Sequence, residues 1–467
     1  MRKAFVWALM AMMAVAGSAY ARGAGIVANA TFPTGAPATT NNDDSCDISV
    51  APAATLLLPF FDVDLTNPAG ETTLFTVTNV SQAPQIAHVT IWTDFSFPVL
   101  DFNIFLTGYD VQSINLFDVI SRGRIAEPGT SSDSEVGRRS LDNDANLAIG
   151  QSFANCNRLA VRVPDSLLPS LQSALTTGRY PAGGCTNTQL VGGTHTNARG
   201  YVTIDLASNC NTSLPSDAGY SSTQILYDNV LIGDYEQVNS TQNFAQGNPL
   251  VHIRAVPEGG APGGALTNFD RTFYSRYQAG GTADRRQPLP STFAARWISG
   301  GATNFQTSFK IWREGTQQGP ATCTNVAQNG AIAITEFVRF DEEENPTTFT
   351  PGEIISPVPQ GGVSLPEASR VSVSSDIFPP NPDAAVAGWM YLNLDNGFDY
   401  TQTPNIPNAN DASQNWVVVS MAADGRYSVD FDAAWLGNGC SPAAPVTNED
   451  GLAPAIGPAA NITPNNP

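Results

Sequence analysis

Apolar and polar residues alternate in short runs from Phe75 to Asp118, beginning FTVTNVSQAPQIAHVTIW and ending INLFD, with turn formers between the runs. Period-two alternation puts successive side chains on opposite faces of a strand, so a chain patterned this way builds sheets. The same texture continues through most of the 467 residues, where 34 prolines and 40 glycines supply the turns that many short strands need. Charged residues are only 14% and hydrophobic ones 42%, which is too apolar for a disordered chain. The length exceeds one ordinary sandwich and suits two.

The first residues have the layout of an export signal: Arg2 and Lys3, an apolar run from Ala4 to Ala16, then Ala19-Tyr20-Ala21 as an A-x-A cleavage site. The apolar run falls well short of the ~20 residues that cross a bilayer, and no later segment reaches that length, so no transmembrane segment is expected after cleavage. Loss of Arg2 and Lys3 takes the formal net charge from -20 to about -22. Such a surface repels phosphate backbones, which argues against nucleic acid as a partner. Lys310 is the single lysine beyond the leader; every other basic residue there, histidines aside, is arginine.

Six cysteines, Cys46, Cys156, Cys185, Cys210, Cys323 and Cys440, read in an exported chain as three disulfides. None lies in a C-x-x-C pair, and the three histidines are not at zinc-ligand spacing from any of them.

Along the chain, residues 1–21 read as the signal peptide and 22–50 as an extended arm. A first β unit spans 51–257, a Gly/Pro linker 258–268, a second β unit 269–440 and a flexible tail 441–467. Thr55 to Val63 is a dense apolar strand; Thr73 to Asn79 and Ile86 to Trp92 are expected to pair as a hairpin; Val111 to Val119 continues the strands; Leu167 to Ala174 suits a short helix. Landmarks of the first unit recur in order in the second. Phe309-Lys-Ile-Trp312 follows Val89-Thr-Ile-Trp92, Phe340-Asp341 follows Phe117-Asp118, Arg370-Val-Ser-Val follows Arg158-Leu-Ala-Val, Gly388 to Leu394 follows Gly200 to Leu206, and Gln414 to Asp430 follows Gln224 to Asn239. The fold expected is therefore all-β: two tandem antiparallel β-sandwiches, immunoglobulin-like in layout, with long loops. Self-contained units would close their own bridges, which pairs Cys323 with Cys440; proximity in the sequence then favours Cys185 with Cys210 and Cys46 with Cys156.

No catalytic constellation emerges. His88 alternates onto the polar face of its strand, where the repeat carries Ser308 and Lys310, so it reads as a solvent-face residue. His252 reads likewise, and His195 lies in a loop with no G-x-S-x-G elbow anywhere to supply a nucleophile. Trp92 and Trp312 fall on the same polar face and are the candidate ligand-binding residues, since exposed aromatics stack on sugars or anchor partners. The alternative is that each covers the rim of the core or packs between the two units, helped by a bulge that rotates it inward. Asp142, Asp144 and Asn146, and Asp395 with Asp399, place oxygens as a loose calcium site would, although Leu147 and Phe153 exclude an EF-hand. Asp62 with Asp64, and Asp341 to Glu344, are similar acidic clusters. No other cofactor is implied. These features favour an exported, non-catalytic binding or structural protein, extracellular, cell-surface or periplasmic, adhesive or part of an extracellular assembly. Its partners would be a glycan, a protein or further copies of itself. A carbohydrate-binding protein is the second expectation, and a glycan-acting hydrolase using two carboxylates across a cleft is the third.

Overall fold

The structure, a computed structural model, describes residues 48, 50–125, 162–255, 272–277, 284, 286–301, 304–317, 319–326, 332–333, 336–349, 364–379, 385–394, 396, 413–423, 427–438 and 441–442. It is all-β: antiparallel sheets with few helices. The first half contributes β1 (Thr55–Val63), β2 (Glu71–Asn79), β3 (Gln85–Thr93), β4 (Pro98–Leu106), β5 (Val111–Asn115), β6 (Ala198–Ala207), β7 (Leu231–Ile232), β8 (Asp234–Asn239), β9 (Phe244–Pro249) and β10 (Val251–Ile253). The second contributes β11 (Thr292–Gly300), β12 (Phe305–Arg313), β13 (Ile332–Ala333), β14 (Glu336–Asp341), β15 (Pro346–Phe349), β16 (Ser364–Leu365), β17 (Ala368–Ser372), β18 (Ala387–Asn393), β19 (Asn415–Ala423), β20 (Tyr427–Asp432) and β21 (Ala434–Trp435).

Two sheets form the first half. One runs β10-β1-β6-β3-β4 and the other β5-β2-β8-β9, with β7 also on β2. The expected hairpin between β2 and β3 does not form: the chain crosses from one sheet to the other around Ser81 to Pro84. The strand expected to reach Val119 stops at Asn115, whose side chain accepts from the Phe117 amide at 2.9 Å and caps helix α1 (Leu116–Arg122). Helix α1 ends on Gly123, and α2 (Leu168–Thr177) appears where the sequence placed a helix. Both bury their apolar faces in a core with Leu56, Phe61, Phe75, Val89, Ile91 and Ile204.

In the second half the order is β15-β14-β18-β11-β12-β19-β20, with β17 beside β12 and β21 beside β11. β11 and β12 pair only at Ser299–Gln306 and Gly300–Phe305 before diverging. Strand neighbours then repeat in sequence order. β3 lies between β4 and β6 as β12 lies between β17 and β19, and β2 lies between β5 and β8 as β11 lies between β18 and β21. The aromatic end recurs too, with Tyr201 opposite Trp92 and Trp416 opposite Trp312. This correspondence differs from the sequence landmarks. Gly388 to Leu394 takes the neighbours of β5 rather than of β6, and Phe340 is in a strand where Phe117 is in a helix.

The sheet containing β1, β3 and β6 is buried on both faces. Leu56, Val89 and Ile204 face the first core, while Leu57, Phe60, Trp92, Tyr201, Val251 and Ile253 join Phe309, Ile311, Trp312 and Val419 in the second. This explains the unbroken apolar run of β1, which alternation would not require of a half-solvated strand.

Candidate functional site

Covering both faces of that sheet overturns the exposure expected for several residues. Trp92 and Trp312 are 1% and 3% exposed. Trp92 stacks on Tyr201 at 5.7 Å between ring centroids and donates Nε1–H to Thr203 Oγ1 at 2.9 Å; Trp312 meets Tyr201 edge-on at 6.0 Å. They form an aromatic seam between the halves, and neither presents a ring to solvent. His88, His252 and Lys310 are buried as well. His88 Nδ1 lies 3.2 Å from Asn103 Oδ1, and His252 Nδ1 2.8 Å from the Ala51 carbonyl, with burial holding the His252 imidazole below its usual range. His195 Nε2 sits 2.8 Å from Asp94 Oδ2, and the Gly193 amide donates to Asp94 Oδ1 at 2.8 Å, so this pair ties down its own loop.

The disulfides are rearranged across the halves. Cys185 bonds Cys323, in place of the expected Cys185–Cys210 and Cys323–Cys440 pairs, because the loop around Cys323 packs on the first core beside Cys185. Cys210 is also disulfide-bonded, to a cysteine other than Cys185. Cys46, Cys156 and Cys440 lie outside the described residues, as do the calcium candidates Asp142, Asp144, Asn146, Asp395 and Asp399. Among the described residues no group of three metal-ligating side chains occurs. Asp62 pairs with Arg199 at 2.8 Å, Asp64 accepts from the Thr66 and Asn67 amides, and Asp341 accepts from the Glu343 and Asn345 amides, so these carboxylates serve local structure. No helix of the described residues is long and apolar enough to cross a membrane.

Three buried polar networks join the halves. In the first, Arg276 grips both oxygens of Glu367, with Nη2 2.9 Å from Oε2, and also donates to Ser96 Oγ at 3.0 Å. In the second, Asp205 accepts from the hydroxyls of Tyr220 at 2.5 Å and Tyr274 at 2.7 Å and pairs with Arg286 at 3.3 Å. In the third, Lys310 pairs with Asp430 beside Gln246, Ser420 and Tyr235.

Above the third network the surface opens. Edge strand β9 runs beside β20, held by Gln246 Nε2 to the Val429 carbonyl at 2.8 Å and Asn248 Nδ2 to Asp432 Oδ1 at 2.8 Å. Next to this seam is a cleft of about 520 Å³ lined by Glu71, Gln242, Asn243, Phe244, Arg370 and Tyr427, with Thr241 and Ala422. The tight turn before β9 shapes one wall: Asn239 accepts from the Gln242 amide at 3.1 Å and Asn243 adopts φ +50°. Arg370 Nη1 donates to Glu71 Oε1 at 2.9 Å, and its guanidinium lies 5.6 Å from the Phe244 centroid. Burial, followed by the nearby Asp62 carboxylate, raises the Glu71 carboxyl above its usual range, against the pull of Arg370. Tyr427 is 60% exposed and lies parallel to Phe305 at 6.2 Å. The cleft therefore combines a fixed aromatic face, a half-buried ion pair and amide side chains.

None of these cleft residues was singled out from the sequence as binding, because the site is assembled from both halves. The chain matches no protein-family model, no curated protein and no solved structure.

Proposed function

We propose that this chain is an exported, non-catalytic binding protein of the cell exterior, built from two tandem β-sandwiches fused along a buried seam, and that the cleft between β9, β17 and β20 is where it takes its ligand. The carrying observation is the cleft itself, to which both halves contribute polar side chains beside the exposed ring of Tyr427. The recurring strand neighbours support the tandem reading, and the leader-like residues 1–21 support export. A glycan is the ligand class favoured by this lining: an aromatic face takes a sugar's apolar side, while Arg370, Gln242 and Asn243 match hydroxyl or carboxylate groups.

Calorimetric titration with neutral and uronic-acid oligosaccharides tests the reading. Saturable binding to at least one, lost in Tyr427→Ala and in Arg370→Ala, is expected. Binding that survives both substitutions would remove the cleft from consideration, and no binding across the panel would remove the glycan.

A further inference from the structure

Lys310 is the only lysine beyond the leader, and its side chain is fully buried on β12. The amine lies against Asp430 Oδ2, 3.5 Å from Gln246 Oε1 and 5.7 Å from the centroid of the Tyr235 ring. Ser420 donates to that same Gln246 oxygen at 2.6 Å and fixes it, while the Tyr235 hydroxyl donates to Asp430 Oδ2 at 3.4 Å. Asp430 Oδ1 is buried and meets no hydrogen-bond partner among the described residues. As an ion pair this arrangement is poor, for it buries two charges and leaves one carboxylate oxygen without a donor. An amide between the two side chains would remove both charges and the orphan oxygen together.

We propose that Lys310 and Asp430 are joined in the folded protein by an intramolecular isopeptide bond. Transfer of one proton from ammonium to carboxylate, favoured where solvent does not stabilise either charge, leaves a neutral amine facing a neutral acid. The Nζ lone pair attacks Asp430 Cγ, and the carbonyl π pair moves onto Oδ2, the oxygen to which Tyr235 donates. A proton passes from nitrogen to the hydroxyl at Oδ1, which leaves as water, and the carbonyl re-forms. One C–N bond forms, one C–O bond breaks, one water is released, and nothing is oxidised or reduced. Fixed proximity supplies the driving concentration, since well-oriented intramolecular partners reach effective molarities of about 10⁵–10⁸ M. Burial also lowers the Lys310 ammonium below its ordinary range, which eases the first proton transfer. Arginine at this position would remain protonated and unreactive, which gives a chemical reason for the one lysine beyond residue 21, where arginine supplies every other fixed positive charge.

Mass spectrometry of the purified mature protein decides the matter. The bond predicts a mass about 18 Da, one water, below that of the disulfide-bonded sequence. It also predicts that trypsin fails to cut after Lys310 in the denatured, reduced protein, and that fragment spectra link Lys310 to Asp430. Lys310→Arg should restore the full sequence mass. A wild-type mass without the missing water, or a missing water accompanied by free cleavage at Lys310, as a cyclised aspartate would give, overturns the proposal.

Discussion

The two halves meet at two places that are built differently. At the aromatic seam these buried charges are paired: Arg276 contacts both oxygens of Glu367, and Asp205 is held by Tyr220, Tyr274 and Arg286, in the same interior as the stacked rings of Trp92, Tyr201 and Tyr277. At the β9–β20 seam Gln246 donates to the Val429 carbonyl and Asn248 to Asp432, but Arg370 and Glu71 are partly in water and Tyr427 faces outward. The groups of the first place are buried, whereas the second keeps an open cleft beside its hydrogen bonds.

Removing a charge from the aromatic seam should therefore do the most damage. Glu367→Gln leaves the buried Arg276 guanidinium with only neutral acceptors, among them Ser96 and the Gly315 carbonyl, and a stability loss of about 3–5 kcal/mol by chemical denaturation is expected. A loss comparable to that of surface substitutions would mean water reaches the seam. The Cys185–Cys323 bridge comes next. It closes a loop of 138 residues between the halves, and replacing both cysteines by serine should cost about 2–4 kcal/mol, with the denaturation midpoint falling. If the halves then unfold in two separate transitions, the bridge, rather than the seam, is what couples them.

How far the sequence reveals this molecule depends on which contacts are local. Alternation and turn formers announce strands, and β1, β3 and α2 lie where the pattern places them. Gly200 and Gly388 share a cross-strand requirement, for a Cβ at either would sit 2.0 Å from the Trp92 carbonyl oxygen or 1.9 Å from that of Phe340. What alternation does not convey is whether the polar face of a strand meets water or another sheet. His88, Thr90 and Trp92 occupy that face and all are buried, Trp92 against the second half and His88 beside Asn103, so a pattern that normally means exposure here marks an interior polar layer. The same gap hid the cleft: Glu71 and Arg370 are 299 residues apart and meet only because the halves pack. Lys310 did carry a signal, its being the one lysine in the body of the chain, and burial now gives that singularity a meaning.

The β9–β20 seam should be tunable by pH. Burial raises the Asp432 carboxyl to about 6, although Trp416 Nε1 and Asn248 Nδ2 both donate to it. A proton thus binds more tightly in the folded state, so Asp432 contributes stability below its ordinary value of 3.8 and that contribution is lost as pH rises through about 6. Asp432→Asn keeps an oxygen for both donors and removes the buried charge. The variant should exceed the parent by about 2 kcal/mol at neutral pH, a margin that closes between pH 6 and 4. A margin that is constant with pH would show that Asp432 titrates normally.

The smallest effect on stability belongs to Tyr427. Its ring rests on Phe305 but is mostly in solvent, so Tyr427→Ala should change the unfolding free energy by less than about 1 kcal/mol. Set against the loss expected from Glu367→Gln, that near-neutrality is what a residue placed for contact with a ligand requires. Equal losses at the two positions would instead make Tyr427 part of the packing, and the contrast between a cohesive seam and an open one would fail.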